Sequence, residues 1–316
     1  MTATAAVHPA TSAGAGGDLY VVATPIGNLG DVTLRALEVL RAVPLIACED
    51  TRITRRLLAR HAIDARLTAF HAHSGPGKLE VLLRHLASGQ DLALTTDAGT
   101  PGVSDPGEEL VAAWAAAGGR VVPIPGASAA LAAVMAAGIA GPRWVFEGFL
   151  PRSGRERRSR LAALAADHRA SIVYEAPNRL AATLADLAAA CGDGRPGAVC
   201  RELTKVHESI VRGSLAELAA SAAAGGIPAR GEMVVVVGAA STGVGDASPT
   251  IAPTPDLAAG RAEVAALVAA GHARAAAARA VASRTGLPRR QLYEAGLGEP
   301  PNARLPAARG RSAPPE

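Results

Sequence analysis

Thirteen consecutive residues, Thr95-Thr96-Asp97-Ala98-Gly99-Thr100-Pro101-Gly102-Val103-Ser104-Asp105-Pro106-Gly107, are the part of this chain best suited to holding a small molecule. Glycines let the backbone approach a ligand closely, prolines fix φ, and hydroxyls and carboxylates supply polar contacts. Two shorter stretches share this grammar: Thr24-Pro25-Ile26-Gly27-Asn28-Leu29-Gly30-Asp31 and Pro123-Ile124-Pro125-Gly126-Ala127-Ser128-Ala129. In the latter, Ser128 either caps a helix or bonds a ligand amide, capping being the plainer role. A different chemistry is offered by Arg201, Glu202, Lys205 and Glu208, which bring carboxylates and cations together on adjoining strands. Such a group can handle a proton or steady a developing charge, and an interstrand ion-pair ladder accounts for it equally well.

Each of the three loops follows an apolar run and opens a helical pattern. Strands are expected over 19–23, 44–48, 91–96 and 120–124, with helices over 33–41, 52–60, 107–117 and 127–137. This alternation predicts a largely parallel sheet with helices on both faces, and loops at the carboxyl ends of such strands are where open α/β sheets bind ligands. Two Gly/Pro loops at one sheet edge make a cleft. Near residues 138–142 the rhythm breaks. Strands over 144–150, 171–174, 198–202, 208–212 and 232–237 and helices over 155–166, 178–190 and 214–223 predict a second, mixed sheet. The expected organisation is a tail over 1–17, an α/β domain over 18–140, a second over 141–239, a linker over 240–256, a small helical region over 257–299 and a tail over 300–316. Within the helical region, the turn Thr285-Gly286-Leu287-Pro288 gives the last two helices helix-turn-helix spacing. The tails and linker are read as disordered.

The chain has 316 residues and a net charge of +4, with 49% hydrophobic residues and 3% aromatics. That supports a sizeable core and a mildly basic surface, but no broad platform for stacking bases. Three separated cysteines, Cys48, Cys191 and Cys200, suit a reducing compartment, and a cytoplasmic enzyme is expected. No apolar stretch reaches membrane-span length, and the first 17 residues lack the basic and apolar regions of a signal peptide. Neither a GxxxxGK[ST] loop nor a GxGxxG turn is present. His71 and His73, with His61 and His85 nearby, lack a clear third ligand set, so no metal is expected.

Taken together, TPIGNLGD, TDAGTPGVSDPG and VVPIPGASA closely resemble the tetrapyrrole methylase superfamily, the class III S-adenosylmethionine methyltransferases. Three further segments are similar to the branch that methylates a cytidine 2′-oxygen in the decoding centre of small-subunit ribosomal RNA. They are Ala47–Arg52, Tyr174–Arg179, and Cys200–Lys205 with Glu208. The resemblance runs over 19–238, with a shorter C-terminal similarity near 286–295. It implies a two-domain fold, a homodimer, and S-adenosylmethionine bound in the cleft between domains. Carried over by motif, the donor contacts are Pro25 and Gly27; Asp97, Ala98, Gly99, Thr100, Val103 and Ser104; Ser128 and Ala129; and Tyr174, Gly231 and Glu232. Asp97 is the carboxylate expected to accept from the donor's ammonium or ribose.

The implied acceptor is 16S ribosomal RNA or the small subunit. Arg152, Arg155, Arg157, Arg158 and Arg160 are expected to meet its phosphates, although a charge run is commonly just a solvated helix face. Arg52, Arg55, Arg56 and Arg60 offer a second positive stripe. A 2′-hydroxyl is a poor nucleophile, so Lys205, Glu202, Glu208 and Arg201 are the expected catalytic group, with Asp50 and Arg52 a second candidate pair. Positioning alone can also supply most of the acceleration. A tetrapyrrole methyltransferase, or a silent ribosome-assembly factor on the same fold, stays open. The macrocycle enzymes usually carry a more glycine-rich first loop and a GDP-like triplet in the second, which favours the RNA branch here.

Overall fold

The computed structural model describes residues 16–240, 257–285 and 287–293. The first sheet contains β1 (Leu19–Val22), β2 (Ile46–Cys48), β3 (Leu67–Ala69), β4 (Leu92–Thr95) and β5 (Val121–Ile124), in the order β3-β2-β4-β1-β5. Every pairing is parallel. The helices between them are α1 (Leu34–Ala42), α2 (Thr51–Arg60), α3 (Pro76–Ala87) and α4 (Glu108–Ala116). Alternate strand residues divide between the faces. Val22, Ile46, Ala93 and Ile124 pack with α1 and α2, whereas Leu19, Ala47, Leu92 and Leu94 pack with α3, α4 and Trp114. Both faces are covered, so these short strands read as apolar runs rather than alternating ones.

The sequence reading contains neither β3 nor α3. β3 is Leu67-Thr68-Ala69, with no fully buried residue and no apolar run to mark it, and α3 begins Pro76-Gly77, a pair that reads as a turn. Proline at the first helical position is nevertheless favourable, because its missing N–H has no partner there in any case.

After α5 (Ala129–Ala137), Gly138 closes the helix at φ +71 and the chain enters the second sheet. This sheet contains β6 (Trp144–Phe149), β7 (Ala170–Glu175), β8 (Pro196–Arg201), β9 (Ser209–Ser214) and β10 (Met233–Val237), ordered β6-β7-β10-β8-β9. Only β6 and β7 are parallel. One face holds Val173, Val199, Val235 and Val237 against α6 (Gly154–Ala166), α7 (Leu180–Cys191) and α8 (Leu215–Ala223). The other holds Ile172, Ala198, Cys200, Val234 and Val236 against Ala130, Ala133 and Ala137 of α5. A helix that follows the first sheet therefore fills the second sheet's core. Both sheets belong to one compact unit.

The unit over 243–316 contains α9 (Leu257–Ala269), α10 (Arg274–Thr285) and α11 (Arg289–Tyr293), around Val264, Ala277, Ala278, Val281 and Leu292. Gly286, in the turn with helix-turn-helix spacing, lies outside the described residues. So do the expected tails and linker, apart from Gly16, Gly17 and Ala240. Gly17 is part of the fold, its N–H donating to the Leu86 carbonyl at 2.8 Å. Among the described residues no helix is long and apolar enough to cross a membrane.

Candidate active site

Strands β4, β1 and β5 are neighbours, so the three Gly/Pro loops emerge side by side from their carboxyl ends. Thr24 and Gly99 exchange backbone hydrogen bonds at 2.8 and 3.1 Å, and the Thr24 hydroxyl donates to the Thr96 carbonyl at 3.1 Å. The Thr100 hydroxyl donates to the Ala127 carbonyl at 3.3 Å, joining the second loop to the third. The second loop turns through Gly99 at φ +88 and Gly102 at φ +81, and then through Ser104 at φ +64. A non-glycine residue held there costs about 1–3 kcal/mol, and such residues cluster at ligand sites.

Between these loops and the second sheet lies a cavity of about 360 Å³. The loops contribute Ile26, Ala98, Gly99, Thr100, Val103, Ser104, Asp105, Ser128 and Ala129 to its wall. The second sheet contributes Phe149, Tyr174 to Pro177, and Gly231 to Val234. Ten of the residues carried over by motif thus meet around one space. Gly27 does not line it, nor do Pro25 and Asp97. The latter two line a separate cavity of about 150 Å³ beside Ile53, Arg56 and Leu57. Asp97 Oδ1 accepts from the Asp50 N–H at 2.9 Å, which ties this carboxylate to the loop after β2. Burial raises its pKa, and the nearby Glu49 charge adds to the rise.

The loop carboxylate that faces the main cavity is Asp105. Burial pushes its pKa up to about 6, helped by the negative charges of Glu49 and Asp97. Asp105 belongs to the loop singled out from sequence, but nothing in the spacing distinguishes it from Asp97. Ile26, Phe149, Glu175, Ala176, Pro177, Met233 and Val234 were likewise not anticipated. The last two adjoin Gly231-Glu232, whereas Phe149 has no local signal.

Ser128 precedes α5 without capping it through its side chain. The Tyr174 hydroxyl accepts instead from the Ala130 N–H at 3.1 Å. A first-turn donor of α5 is satisfied from the other sheet, and the Ser128 hydroxyl is left to the cavity.

Lys205 does not line the cavity but reaches Glu232, which does. Its Nζ donates to Glu202 Oε1 at 2.9 Å and lies 3.2 Å from Glu232 Oε2. Glu202 Oε1 also accepts from the Glu232 N–H at 2.9 Å. Both side chains cross glycines. A Cβ on Gly27 would stand 2.4 Å from Lys205 Cγ, and one on Gly231 would stand 2.4 Å from Glu202 Cδ. The turn holding them is tense, with Glu202 at φ +52 and Thr204 at φ +67. The other two members of the expected catalytic group stabilise that turn. Arg201 is 5% exposed and its guanidinium donates to the Arg230 and His207 carbonyls. Glu208 accepts from the Thr204 N–H at 2.7 Å. Both side chains thus bond backbone, through Arg201 Nε and Nη1 and Glu208 Oε2. The Thr204 hydroxyl accepts from the Asn28 N–H at 3.3 Å and so anchors the turn to the first loop.

A model of the family Tetrapyrrole (Corrin/Porphyrin) Methylases matches residues 18–219. The chain belongs to this family. Its relatives include the ribosomal RNA small subunit methyltransferase I of Synechocystis, 47% identical over 89% of this chain and 98% of that protein. The protein of the same name from Mesorhizobium japonicum is 50% identical over 70% of this chain and 75% of its own length. Among solved structures, diphthine synthase matches with a TM-score of 0.55 at 14% identity, over 70% of this chain and 90% of that one. Uroporphyrin-III C-methyltransferase from Thermus thermophilus, complexed with S-adenyl homocysteine, matches with a TM-score of 0.52 at 20% identity, over 70% and 97%. These two likenesses concern the fold.

In this member of the family the arginine run is not one surface. Arg157 is buried, donating to Asp186 Oδ2 at 2.9 and 2.7 Å, to the Pro151 carbonyl at 2.9 Å and to the Thr183 hydroxyl at 3.0 Å. Arg160 is bound to the Glu147 carboxylate and carbonyl. Arg157 is thus enclosed, whereas Arg160, its side chain 38% exposed, is paired at the surface. Arg152, Arg155 and Arg158 are exposed. Arg52, Arg55, Arg56 and Arg60 are also exposed on α2, with Arg52 paired to Asp50, whose carboxyl it holds down at about 2. His71 and His73 are exposed neighbours with ring centroids 6.4 Å apart. Among the described residues no group of three or more His, Cys, Asp or Glu could hold a metal.

Proposed function

We propose that this chain transfers a methyl group from S-adenosylmethionine to the 2′-oxygen of a cytidine in the decoding centre of 16S ribosomal RNA, as a cytoplasmic homodimer acting on the RNA or the small subunit. The observation that carries the reading is near full-length similarity to a protein named for methylating this RNA, in a chain whose donor loops surround one cavity. Leu131 and Met135, exposed one turn apart on α5, support association with a second copy.

The cavity fits the donor chemically. Asp105 and Glu232 offer carboxylates to a ligand with a cationic ammonium and sulfonium. Ile26, Ala129, Met233 and Val234 offer an apolar bed for adenine, and the Thr100, Ser104 and Ser128 hydroxyls lie beside it. When bound, adenosylmethionine supplies a methyl group on a positively charged sulfur. The chain must then orient the ribose hydroxyl and stabilise its oxygen as the proton is lost to water. Burial alone would lower the Lys205 pKa, but the bonds to Glu202 and Glu232 outweigh it and raise it. Lys205 is thus a fixed ammonium at neutral pH, suited to stabilising developing negative charge and unable to accept a proton. Hydrogen bonds from Lys205 and the Glu232 N–H hold the Glu202 carboxyl below its ordinary value, so it too is a weak base. This favours acceleration by positioning and electrostatics over a dedicated base.

The test is mass spectrometry of nuclease-digested small-subunit RNA from cells with and without the gene. Loss of a 2′-O-methylcytidine signal, restored by the purified protein with adenosylmethionine, is the expected result. An unchanged signal refutes the reading.

A further inference from the structure

Beside the donor cavity is a second, of about 690 Å³, and Phe149 and Ala176 form part of both walls. The rest of its lining includes Pro151, Arg152, Asn178 and Arg179. We infer that this cavity receives one nucleotide unstacked from the RNA, with Phe149 stacking on its base. The inference rests on the proposed ribose acceptor and names how that acceptor is held.

Contiguity is the first argument. A ribose oxygen that reaches the donor must belong to a nucleotide whose remaining bulk lies next to the donor cavity. The 150 Å³ cavity at Pro25 and Asp97 shares no lining residue with it, whereas this one shares two.

The presentation of Phe149 is the second. It is 55% exposed in a chain with three phenylalanines. The β6–β7 register shifts between Phe146 and Gly148, and Gly148 has φ +62. Such an irregularity re-aims the side chains that follow it. The ring is held edge-to-face with Tyr174, centroids 5.6 Å apart, so it is fixed at the junction of the two cavities.

The polar groups are the third. Arg179 is committed, donating to the Leu150 carbonyl at 2.9 Å and pairing with Glu175 at 3.3 Å, and therefore stiffens the wall. Arg152 and Asn178 are exposed. A guanidinium suits a phosphate, and an amide presents a donor and an acceptor to a base edge. An aromatic face, an amide and an arginine are the recognition set for a splayed-out RNA base.

The experiment measures methyl transfer to small ribosomal subunits lacking the modification by wild type, Phe149→Leu and Phe149→Trp, with adenosylmethionine affinity by calorimetry and melting temperature for each. Loss of one base–aromatic stack corresponds to about 5- to 150-fold. Phe149→Leu is expected to lower kcat/KM for subunits, at saturating donor, by at least about tenfold, more than any fall in donor affinity, and Phe149→Trp to restore transfer. Phe149→Leu transferring like wild type overturns the inference and leaves the functional reading intact. So does a parallel loss of donor binding, which would make Phe149 a wall of the donor cavity alone. A wild-type chain that methylates no subunit overturns both.

Discussion

Replacing Arg157 with alanine deletes four hydrogen bonds and a cation enclosed between α6 and α7. Breaking a buried ion pair typically costs about 3–5 kcal/mol. Asp186 is 47% exposed, so water can resolvate it and the cost falls below that range. The Thr183 hydroxyl keeps its bond to Glu175 at 2.6 Å and the Pro151 carbonyl keeps a longer one from Arg179 at 3.4 Å, so neither is left unpaired. The expected loss is about 2–3 kcal/mol, or roughly 5–10 °C in melting temperature for a unit of this size. Arg155→Ala, on an exposed side chain of the same helix, should change stability by less than about 0.5 kcal/mol. RNA binding measured against salt should show the opposite ranking. Arg155→Ala should reduce the log–log slope by about 0.7–0.9, the signature of one lost phosphate contact, and Arg157→Ala should leave it unchanged. If Arg157→Ala melts like wild type and reduces the slope instead, the structural assignment of this arginine is wrong.

Asp105 has a pKa of about 6 in the folded chain and about 3.9 unfolded, so the folded state holds an extra proton between these values. Its stabilising contribution is full below about pH 4 and is lost as pH rises through 6. Allowing for partial exposure, ligand-free Asp105→Asn should be roughly 2 kcal/mol more stable than wild type at pH 7 and equal to it at pH 4, as checked by denaturant melts. The same variant should abolish a rise in adenosylmethionine affinity between pH 5 and 7; a rise that persists would remove Asp105 from donor recognition. Gly27→Ala places a methyl group 2.4 Å from Lys205 Cγ, and the flexible lysine must give way. Methyl transfer at saturating donor should fall, by up to the roughly 10²–10³-fold that losing a preorganised stabiliser costs, and melting should also drop because Gly27 sits at φ +159, where alanine is strained. Full activity would show that the ammonium's position does not matter.

The parts of the site that were legible share one property: their function is written in the backbone. The loops at Thr24, Thr95 and Pro123 need glycines and prolines at particular points, and those residue types survive as a pattern. Side-chain facing is not written locally. Arg157 and Arg158 are neighbours in one charge run, yet one meets Asp186 across α7 while the other is exposed, and only the packing of two helices separates them. Similarly, Ser128 is the residue type expected to cap α5, but the group that satisfies the Ala130 N–H comes from 44 residues away. Asp97 and Asp105 lie in the same loop, and the Asp50 N–H after β2 draws the first of them away from the cavity. The parallel and mixed sheets were readable because buried apolar runs punctuated by turns identify strands, even β2 at three residues. β3, Leu67-Thr68-Ala69 with no fully buried residue, lacks such a run.

The placement of α5 also constrains how the protein is made. The helix ends at Ala137, whereas β10, the central strand of the sheet it packs against, ends at Val237. The ribosome therefore releases α5 about 100 residues before its surroundings are complete, an interval of roughly 5–20 s at ordinary rates of elongation. During that time its buried face is uncovered. That face consists of Ala130, Ala133 and Ala137, which present little apolar surface to other nascent chains while allowing close approach to the sheet once it forms.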